Sequence, residues 1–317
     1  EQQAVVEAAV IYHDDAKAQL LLNQAYELLA QLPQNTSSRK QQRQTLARNL
    51  DTLARRLRHQ AEATTAEPWL ELPGGATWRY LGLIGNSLYA LSAGGQIAPL
   101  DLDGKIGSIF TLPTSLDQPL ALTPLDQQYF LAWGNNGSAL IDLTSRRSTM
   151  MPKIPALFDA ASYDHRLYYI SQKPMAIFRT TRQDTDFATP VRWLKPSQGE
   201  LQGARSLTVD GAIYVATASQ VQKYVLGLKR DFTLQPVEPP LQDVTSLKTA
   251  GEGDHLYLTE PALKRLVVYD KQGKLVLQLS FPNLPELTSL TYDPINKYMY
   301  VLSGSKIYRL KLTDYLP

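Results

Sequence analysis

Cysteine is absent from this sequence, and histidine is rare, with only four residues. The absence of cysteine excludes disulfide scaffolds, thiolate zinc sites and cysteine nucleophiles. It also suits an oxidising compartment, where stray thiols are a liability. No two histidines have the spacing of metal ligands, so we expect no structural transition metal and no cofactor. The four are His13, His59, His165 and His255.

Long apolar runs are also missing. No stretch approaches the roughly 18 uninterrupted apolar residues of a membrane-spanning helix, and no signal-peptide pattern is visible. The formal net charge is +2, which excludes a strong polyanion binder and a disordered acidic tail. Because the chain starts at Glu1 rather than Met, we expect an upstream targeting or membrane segment to have been removed.

Helical periodicity occurs over residues 4–32 and 39–63. The second segment carries one apolar stripe, formed by Leu46, Leu50, Leu53 and Leu57. The sequence PQNTSS (33–38) separates the two segments. Its proline breaks a helix, and Ser37 or Ser38 can cap the next one. These features predict an antiparallel helical hairpin.

From residue 67 onward a repeat of about 40 residues replaces the helical period. Its marker is an apolar–aromatic pair within a short strand-like run, with further runs before and after it. The second residues of successive pairs are 41, 38, 46, 43 and 43 positions apart. The six pairs are Leu88–Tyr89, Tyr129–Phe130, Leu167–Tyr168, Ile213–Tyr214, Leu256–Tyr257 and Met299–Tyr300.

A proline ends the last strand of each repeat, at Pro113, Pro152, Pro196, Pro239 and Pro282. Pro73 lies 40 residues before the first of these and follows a strand, WLELP, that has no three strands before it. The last unit, residues 298–312, has no fourth strand after it. We therefore predict a mostly β protein: a six-bladed β-propeller over residues 67–317, closed by the N-terminal strand and preceded by the helical hairpin over residues 1–66. An open stack of sheets or two β-sandwiches is the alternative.

Catalytic motifs are not visible. DLDGK (101–105) begins like a calcium loop, but Leu112 stands where the glutamate of position twelve belongs. SGSK (303–306) lacks P-loop spacing and a following helix. We interpret DLDGK, like KQG at 271–273, as a hairpin turn between the last two strands of a blade. We predict no catalytic residue.

Candidate contacts for a ligand or partner lie in one set of loops. In a propeller, the loops between second and third strands and those between blades emerge on the same face. These loops carry Trp133, Asn135, Asn136, Lys173, Arg205, Glu260 and Lys264. Tryptophan and arginine are common in binding hot spots. For Trp133 the alternative is packing inside its own blade, because tryptophan is usually well buried.

Basic residues dominate residues 37–64. They are Arg39, Lys40, Arg43, Arg48, Arg55, Arg56 and Arg58, against only two acidic residues. The segment is either a solvated helix face or a contact for anionic lipid headgroups. Nucleic acid is not expected as a partner, because single-stranded binders interleave basic residues with aromatics, and this segment has none.

Three stretches resemble parts of known propellers. DHLYLTEPALKRLVVYDKQGKLVLQLSF (254–281) resembles an NHL-type blade, with Arg265 before the third strand and an Asp270–Gly273 turn after it. Residues 193–232 and 299–312 are similar to the C-terminal propellers of bacterial membrane-anchored proteins that carry a PPM-type serine/threonine phosphatase-like domain. The resemblance implies an extracytoplasmic propeller on a helical stalk. The metal-binding aspartates of the phosphatase domain are not in this sequence, so that activity is not implied.

The sequence as a whole favours a non-catalytic sensor or binding propeller of a membrane-anchored signalling or envelope protein. Its partner would be a protein or a cell-envelope ligand. One alternative is a structural or assembly scaffold in the envelope. The other is a propeller enzyme of the lyase or glycosidase type, which deep convergent carboxylates, arginines or histidines in the central channel would favour.

Overall fold

The computed structural model describes residues 15–33, 35–64, 67–154, 157–249 and 255–315. Within these residues the chain forms six antiparallel blades, so the predicted six-bladed β-propeller is confirmed. Residues 4–14 of the predicted first helix lie outside the described residues.

The described part of the chain begins with two helices and two short strands. These are α1 (Asp15–Gln31), α2 (Ser37–Leu57), β1 (Gln60–Glu62) and β2 (Leu70–Glu71). Blade 1 contains β3 (Trp78–Ile84), β4 (Ser87–Ser92), β5 (Gln96–Asp101) and β6 (Phe110–Thr111). Blade 2 contains β7 (Ala121–Pro124), β8 (Tyr129–Gly134), β9 (Gly137–Asp142) and β10 (Arg147–Met150).

The next two blades follow the same order from inner to outer strand. Blade 3 contains β11 (Leu157–Tyr163), β12 (Arg166–Gln172) and β13 (Met175–Gln183), with β14 (Asp186–Phe187) and β15 (Val191–Arg192) both paired to β13. Blade 4 contains β16 (Ser206–Val209), β17 (Ile213–Ala216), β18 (Val221–Val225) and β19 (Leu228–Arg230).

The last two blades each take a strand from the N-terminal part. Blade 5 contains β20 (Ser246–Lys248), β21 (His255–Glu260), β22 (Arg265–Asp270) and β23 (Leu275–Ser280), with β1 added in parallel to β23. Blade 6 contains β24 (Ser289–Asp293), β25 (Tyr298–Ser303) and β26 (Lys306–Lys311), with β2 as its fourth strand.

Buried side chains fill the gaps between blades. All four residues of β17 are buried, because adjacent blades cover both faces of the strand. Between blades 4 and 5, Tyr214 and Val221 pack against Leu256 and Val267. The second and third strands therefore have nearly continuous apolar sequences instead of strict alternation.

Ring closure by the N-terminal strand is confirmed. Leu70 pairs with Ile307 in antiparallel register, and Leu72 N donates to Ser305 O at 2.8 Å. The Leu72 side chain is 2% exposed. The first strand of the propeller in the sequence thus completes its last blade.

The two Asp/Gly turns are also confirmed. Asp101 Oδ1 accepts hydrogen bonds from Asp103 N (3.1 Å) and Lys105 N (2.8 Å). Asp270 Oδ1 does the same for Gln272 N (2.9 Å) and Lys274 N (2.8 Å). Each carboxylate closes the turn between the third and fourth strands of its blade.

The helical hairpin differs from the prediction at two points. Thr36, rather than Ser37 or Ser38, is the N-cap of α2, and its hydroxyl accepts from Arg39 N at 3.3 Å. The second helix ends at Leu57 instead of residue 63, because His59 has a positive φ of 52° that turns the chain. Residues 60–62 then form β1, whose backbone pairs with the edge of blade 5. None of the described helices is long and apolar enough to cross a membrane.

The antiparallel order gives the propeller two distinct faces. We call the upper face the end that carries the loops between second and third strands and the connections between blades. The lower face carries the loops between first and second and between third and fourth strands. Around the central channel, inner strands of neighbouring blades contact one another from blade 6 through blades 1 to 4 to blade 5.

Candidate functional site

Five of the seven predicted contact residues lie on the upper face with accessible side chains. Asn135, Asn136 and Lys173 are exposed, and Arg205 and Lys264 are half-buried. They come from blades 2, 3 and 5 and from the connection into blade 4. We call these five the upper-face residues.

The side chains of the two upper-face asparagines form hydrogen bonds with the loop that connects blades 1 and 2. Asn136 Oδ1 accepts from Asp117 N at 2.8 Å, and its Nδ2 donates to Ser115 O at 2.7 Å. Asn135 Nδ2 donates to Gln118 Oε1 at 2.9 Å. The two amides therefore fix the connection between blades 1 and 2 against the turn of blade 2.

Trp133 packs inside its blade, as the alternative interpretation of the sequence had it. It is the penultimate residue of β8, and its side chain is 1% exposed. It belongs to the buried cluster between blades 2 and 3, together with Met151 and Leu157. The interpretation of Trp133 as an exposed contact is wrong, because the residue belongs to the strand and not to the loop.

Glu260 is also buried, with 0% exposure. Its Oε2 accepts from Arg265 Nε at 2.6 Å, and its Oε1 accepts from Gln242 N at 2.8 Å and Asp243 N at 3.1 Å. Arg265 also donates to Gln278 Oε1 at 2.9 Å. Glu260 thus holds the connection between blades 4 and 5 in place. It presents no surface to a partner, contrary to the expectation of an exposed loop residue.

The register of the inner strands places equivalent residues of the blades at two levels of the channel. The upper ring contains Tyr80, Ala121, Asp159, Ser206, Ser246 and Ser289. The middle ring, two residues further along each strand, contains Gly82, Thr123, Ala161, Thr208, Lys248 and Thr291.

This register also corrects one repeat pair. The middle-ring residue lies opposite the second residue of the pair in the other five blades, as Thr208 lies opposite Tyr214. In blade 2, however, Thr123 lies opposite Leu131. The equivalent pair is therefore Phe130–Leu131, one residue later than predicted.

Two upper-ring serines link their blades to the next blade along the ring. Ser206 Oγ accepts from Leu247 N at 3.0 Å, and Ser289 Oγ accepts from Leu81 N at 3.1 Å. These hydroxyls satisfy backbone groups on the free edge of the neighbouring inner strand. A small polar residue is therefore sufficient for this position.

Three residues depart from the small side chains that prevail in the rings. They are Tyr80, Asp159 and Lys248, which we call the channel triad. Tyr80 Oη donates to Leu122 O at 2.7 Å, and Lys248 Nζ lies 6.0 Å from the centroid of the Tyr80 ring. Asp159 Oδ2 accepts from Ser206 Oγ (2.6 Å) and Leu207 N (2.8 Å). The three departures come from three different blades and meet at one point in the channel.

Electrostatics keep the triad lysine charged. Burial alone lowers the pKa of Lys248, but the nearby Tyr80 and Asp159 together raise it above its ordinary value. Burial raises the pKa of Tyr80, and the neighbouring ammonium lowers it only in part. At neutral pH the pair is therefore an ammonium beside a neutral phenol.

These protonation states favour binding over acid–base or covalent chemistry. A lysine nucleophile needs a depressed pKa so that the free amine is present. A tyrosine base likewise needs a pKa near the working pH. Lys248 and Tyr80 are shifted in the opposite direction. The triad is suited to hold a hydrogen-bond acceptor or an anion.

A cavity lies on each side of the triad. The lower cavity has a volume of about 420 Å³, and the upper one about 250 Å³. Tyr80 and Lys248 border both cavities, so they mark the constriction between them. Among the described residues, no group of three histidine, cysteine or acidic side chains could hold a metal ion.

Sequence reasoning missed the channel triad, although one signal was present. The inner strands of blades 4, 5 and 6 read SLT, SLK and SLT, beginning at Ser206, Ser246 and Ser289. Aligning them shows Lys248 in a position that otherwise holds threonine. The significance of Tyr80 and Asp159 could not be found in this way, because it depends on the closed ring that brings blades 1, 3 and 5 together.

Stability is expected to fall as the pH rises from 10 to 12. Burial raises the pKa of Tyr169 and of Tyr214 to about 12, whereas tyrosine in an unfolded chain has its ordinary value of 10.0. The stabilisation is complete below pH 10 and is lost as the pH rises through the folded-state pKa, because the unfolded chain releases its protons first. Urea denaturation midpoints at pH 9, 10 and 11 measure the effect, and a midpoint that rises or stays constant would contradict it.

Comparisons with known proteins identify the fold and no family. No family model matches the sequence, and no curated protein matches it. Of solved structures, 1218 chains match, so the architecture is widely shared. The β-propeller domain of Cps50 (Swd1) from Myceliophteria thermophila is 12% identical with a TM-score of 0.53, over 74% of this chain and 83% of that one. A chain of a nidogen–laminin complex is 13% identical with a TM-score of 0.49, over 64% and 80%. At 12% identity, the likeness to the Cps50 (Swd1) domain shows the β-propeller fold alone.

Proposed function

We propose that this chain is a non-catalytic binding propeller that takes a protein or a cell-envelope ligand on its upper face. The observation that carries the proposal is the set of upper-face residues, which present amide and basic groups from successive blades at one end of the channel. A partner seated there would contact several blades at once.

The channel supports binding rather than catalysis. The charged side chains that line its two cavities are Arg79, Asp159, Arg205, Lys248 and Asp293. Lys248 and Tyr80 keep their protons at neutral pH. The carboxylate of Asp159 is engaged by Ser206, Leu207 and Ala160. A glycosidase needs a pair of carboxylates, one of them able to give up a proton.

The proposal extends to an extracytoplasmic sensor in a membrane-anchored protein. Its support is the resemblance of residues 193–232 and 299–312 to the propellers of such proteins. The basic segment 37–64 is consistent with a position near anionic lipid, since six of its seven basic residues are exposed and only Arg43 is half-buried. Each exposed cation near a membrane surface contributes up to about 1 kcal/mol.

The double variant Lys173→Ala/Arg205→Ala is expected to lose binding to its partner while keeping the stability of the unchanged protein. Arg205 pairs with Asp243 at a site where the two side chains are 38% and 41% exposed, so its loss costs at most about 1 kcal/mol of stability. The assay is retention of the immobilised protein's partner from detergent-solubilised envelope fractions and from peptidoglycan fragments. The control is Lys274→Ala, which removes an exposed lysine from the lower face. Equal binding by the double variant, with loss in the control, would place the site on the other face.

A further inference from the structure

The lower cavity has the dimensions and lining of a small-molecule site. Its volume of about 420 Å³ lies within the range of about 300–1,000 Å³ that is usual for such sites. None of the upper-face residues lines it, and Tyr80 and Lys248 stand between it and the upper cavity. Its lining combines aromatic side chains with a few polar groups, as ligand sites do.

Lys248 supplies a cation with spare donors at the inner end of the lower cavity. The Tyr80 hydroxyl takes up one of its donors. Among the described residues, Lys248 forms no ion pair with a carboxylate and no hydrogen bond with the oxygens of Asp159. Asp159 is instead occupied by Ser206 and Leu207. An ammonium has three N–H donors, so Lys248 can give charge-assisted hydrogen bonds to an anion in the cavity.

Tyrosines form the apolar wall. Tyr257 and Tyr292 lie with ring centroids 5.0 Å apart, and Tyr163 also lines the cavity. A phenol ring offers a flat apolar surface beside a polar tip. Such a surface suits the C–H face of a pyranose ring.

Hydroxyls complete the lining. The side chains of Thr208 and Thr291 border the cavity at the middle ring, and they form no hydrogen bond with a described residue. Each hydroxyl can both donate and accept. They therefore match a ligand that itself carries hydroxyl groups.

Charge selects among the possible ligands. Asp293 is the acidic residue in the lining, but its carboxylate accepts from Ile295 N at 2.9 Å and Asn296 N at 3.0 Å. Its other oxygen accepts from Asn296 Nδ2 at 2.7 Å, and the residue is only 2% exposed, so it offers little surface to the amine of an amino acid. A phosphate is usually held by several cations or by backbone amides at a helix N-terminus, and the described lining contains one lysine and no helix.

We infer that the lower cavity binds a carboxylated pyranose, with its carboxylate on Lys248, its hydroxyls on Thr208 and Thr291, and its ring against Tyr257 and Tyr292. Uronic acids and N-acetylmuramic acid share this chemistry. The inference does not depend on the proposed upper-face partner, because the two sites lie on opposite sides of the constriction.

The test is isothermal titration of the full chain with glucuronic acid and with N-acetylmuramic acid. Glucose and N-acetylglucosamine are the neutral controls. We expect at least one acid to bind about 10-fold more tightly than its neutral counterpart, from the charge-assisted contact. Preference for glucuronic acid identifies a uronate source, and preference for the muramic acid identifies a cell-wall source.

Variants locate the binding. Lys248→Met keeps an unbranched side chain that is one atom shorter and removes the charge, and it should abolish the preference for acids. The matched control is Lys274→Met, because Lys274 is exposed and lies outside the cavity lining. This variant should bind like the unchanged protein. If Lys248→Met fails to fold, Thr208→Val/Thr291→Val tests the same cavity and should weaken acid binding several-fold. The inference is overturned if no sugar binds, if neutral sugars bind equally well, or if neither cavity variant changes the affinity.

Discussion

A chain that begins at Gly74 is expected to unfold at a clearly lower temperature than a chain that begins at Pro68. The two differ in the closing strand and its flanks, and both lack the helices. Loss of the buried Leu72 removes about 1.5–3 kcal/mol of apolar burial. Each backbone hydrogen bond lost between residues 69–72 and 305–307 lowers the stability by a further amount of about 0.5–1.5 kcal/mol. Against a total stability of about 5–15 kcal/mol, the loss is serious.

Thermal denaturation followed by circular dichroism measures the difference. The shorter chain should also aggregate more readily, because β26 becomes an exposed edge strand. In the full chain, Leu72→Ala provides a point-mutation check and should cost about 2–5 kcal/mol. Equal melting temperatures for the two shortened chains would rule out the closing role of β2.

Glu260→Ala is expected to destabilise the full chain by about 3–5 kcal/mol. The change leaves the Arg265 guanidinium, whose side chain is 5% exposed, without its carboxylate partner in the interior. It also removes the acceptor of two backbone N–H groups, those of Gln242 and Asp243. Unpartnered buried charges are costly because little water reaches them.

The matched control for Glu260 is an exposed ion pair. Lys153 and Asp186 are 2.6 Å apart, but both side chains are nearly half exposed. Lys153→Met should therefore change the free energy of unfolding by no more than about 1 kcal/mol. Urea denaturation of both variants gives the comparison. If Glu260→Ala costs no more than the control, the buried pair contributes little to the fold.

The number of blades and their closure were predictable because they depend on spacing. Pro73 stands one repeat length before Pro113, and no unit of the described propeller lacks its marker strand. The spacing of the repeat is kept even where its side chains differ. In blade 2, for example, the predicted pair was one residue out of register, yet the blade was still counted. The helical hairpin was predictable for the same reason, apart from its ends.

Features that depend on tertiary contacts were not predictable from the sequence. Trp133 and Glu260 each stand beside a loop, and nothing local distinguishes a buried strand end from an exposed loop residue. Strand β1 has only three residues, and it forms because the edge of blade 5 is available to pair with it. The channel triad joins residues up to 168 positions apart, from Tyr80 to Lys248, that only the closed ring brings together.

The order of the two added strands determines the path of mechanical load. Tension applied to helices α1 and α2 reaches β1 before it reaches β2, because β1 comes first in the chain. There it is resisted by the parallel pairing of Gln60–Glu62 with Gln278–Ser280 and by the bond from Gln278 Nε2 to Arg58 O. The pairing of β1 with blade 5 therefore bears the tension first. The pairing of β2 with blade 6 at Leu70 carries none of it as long as β1 stays in place.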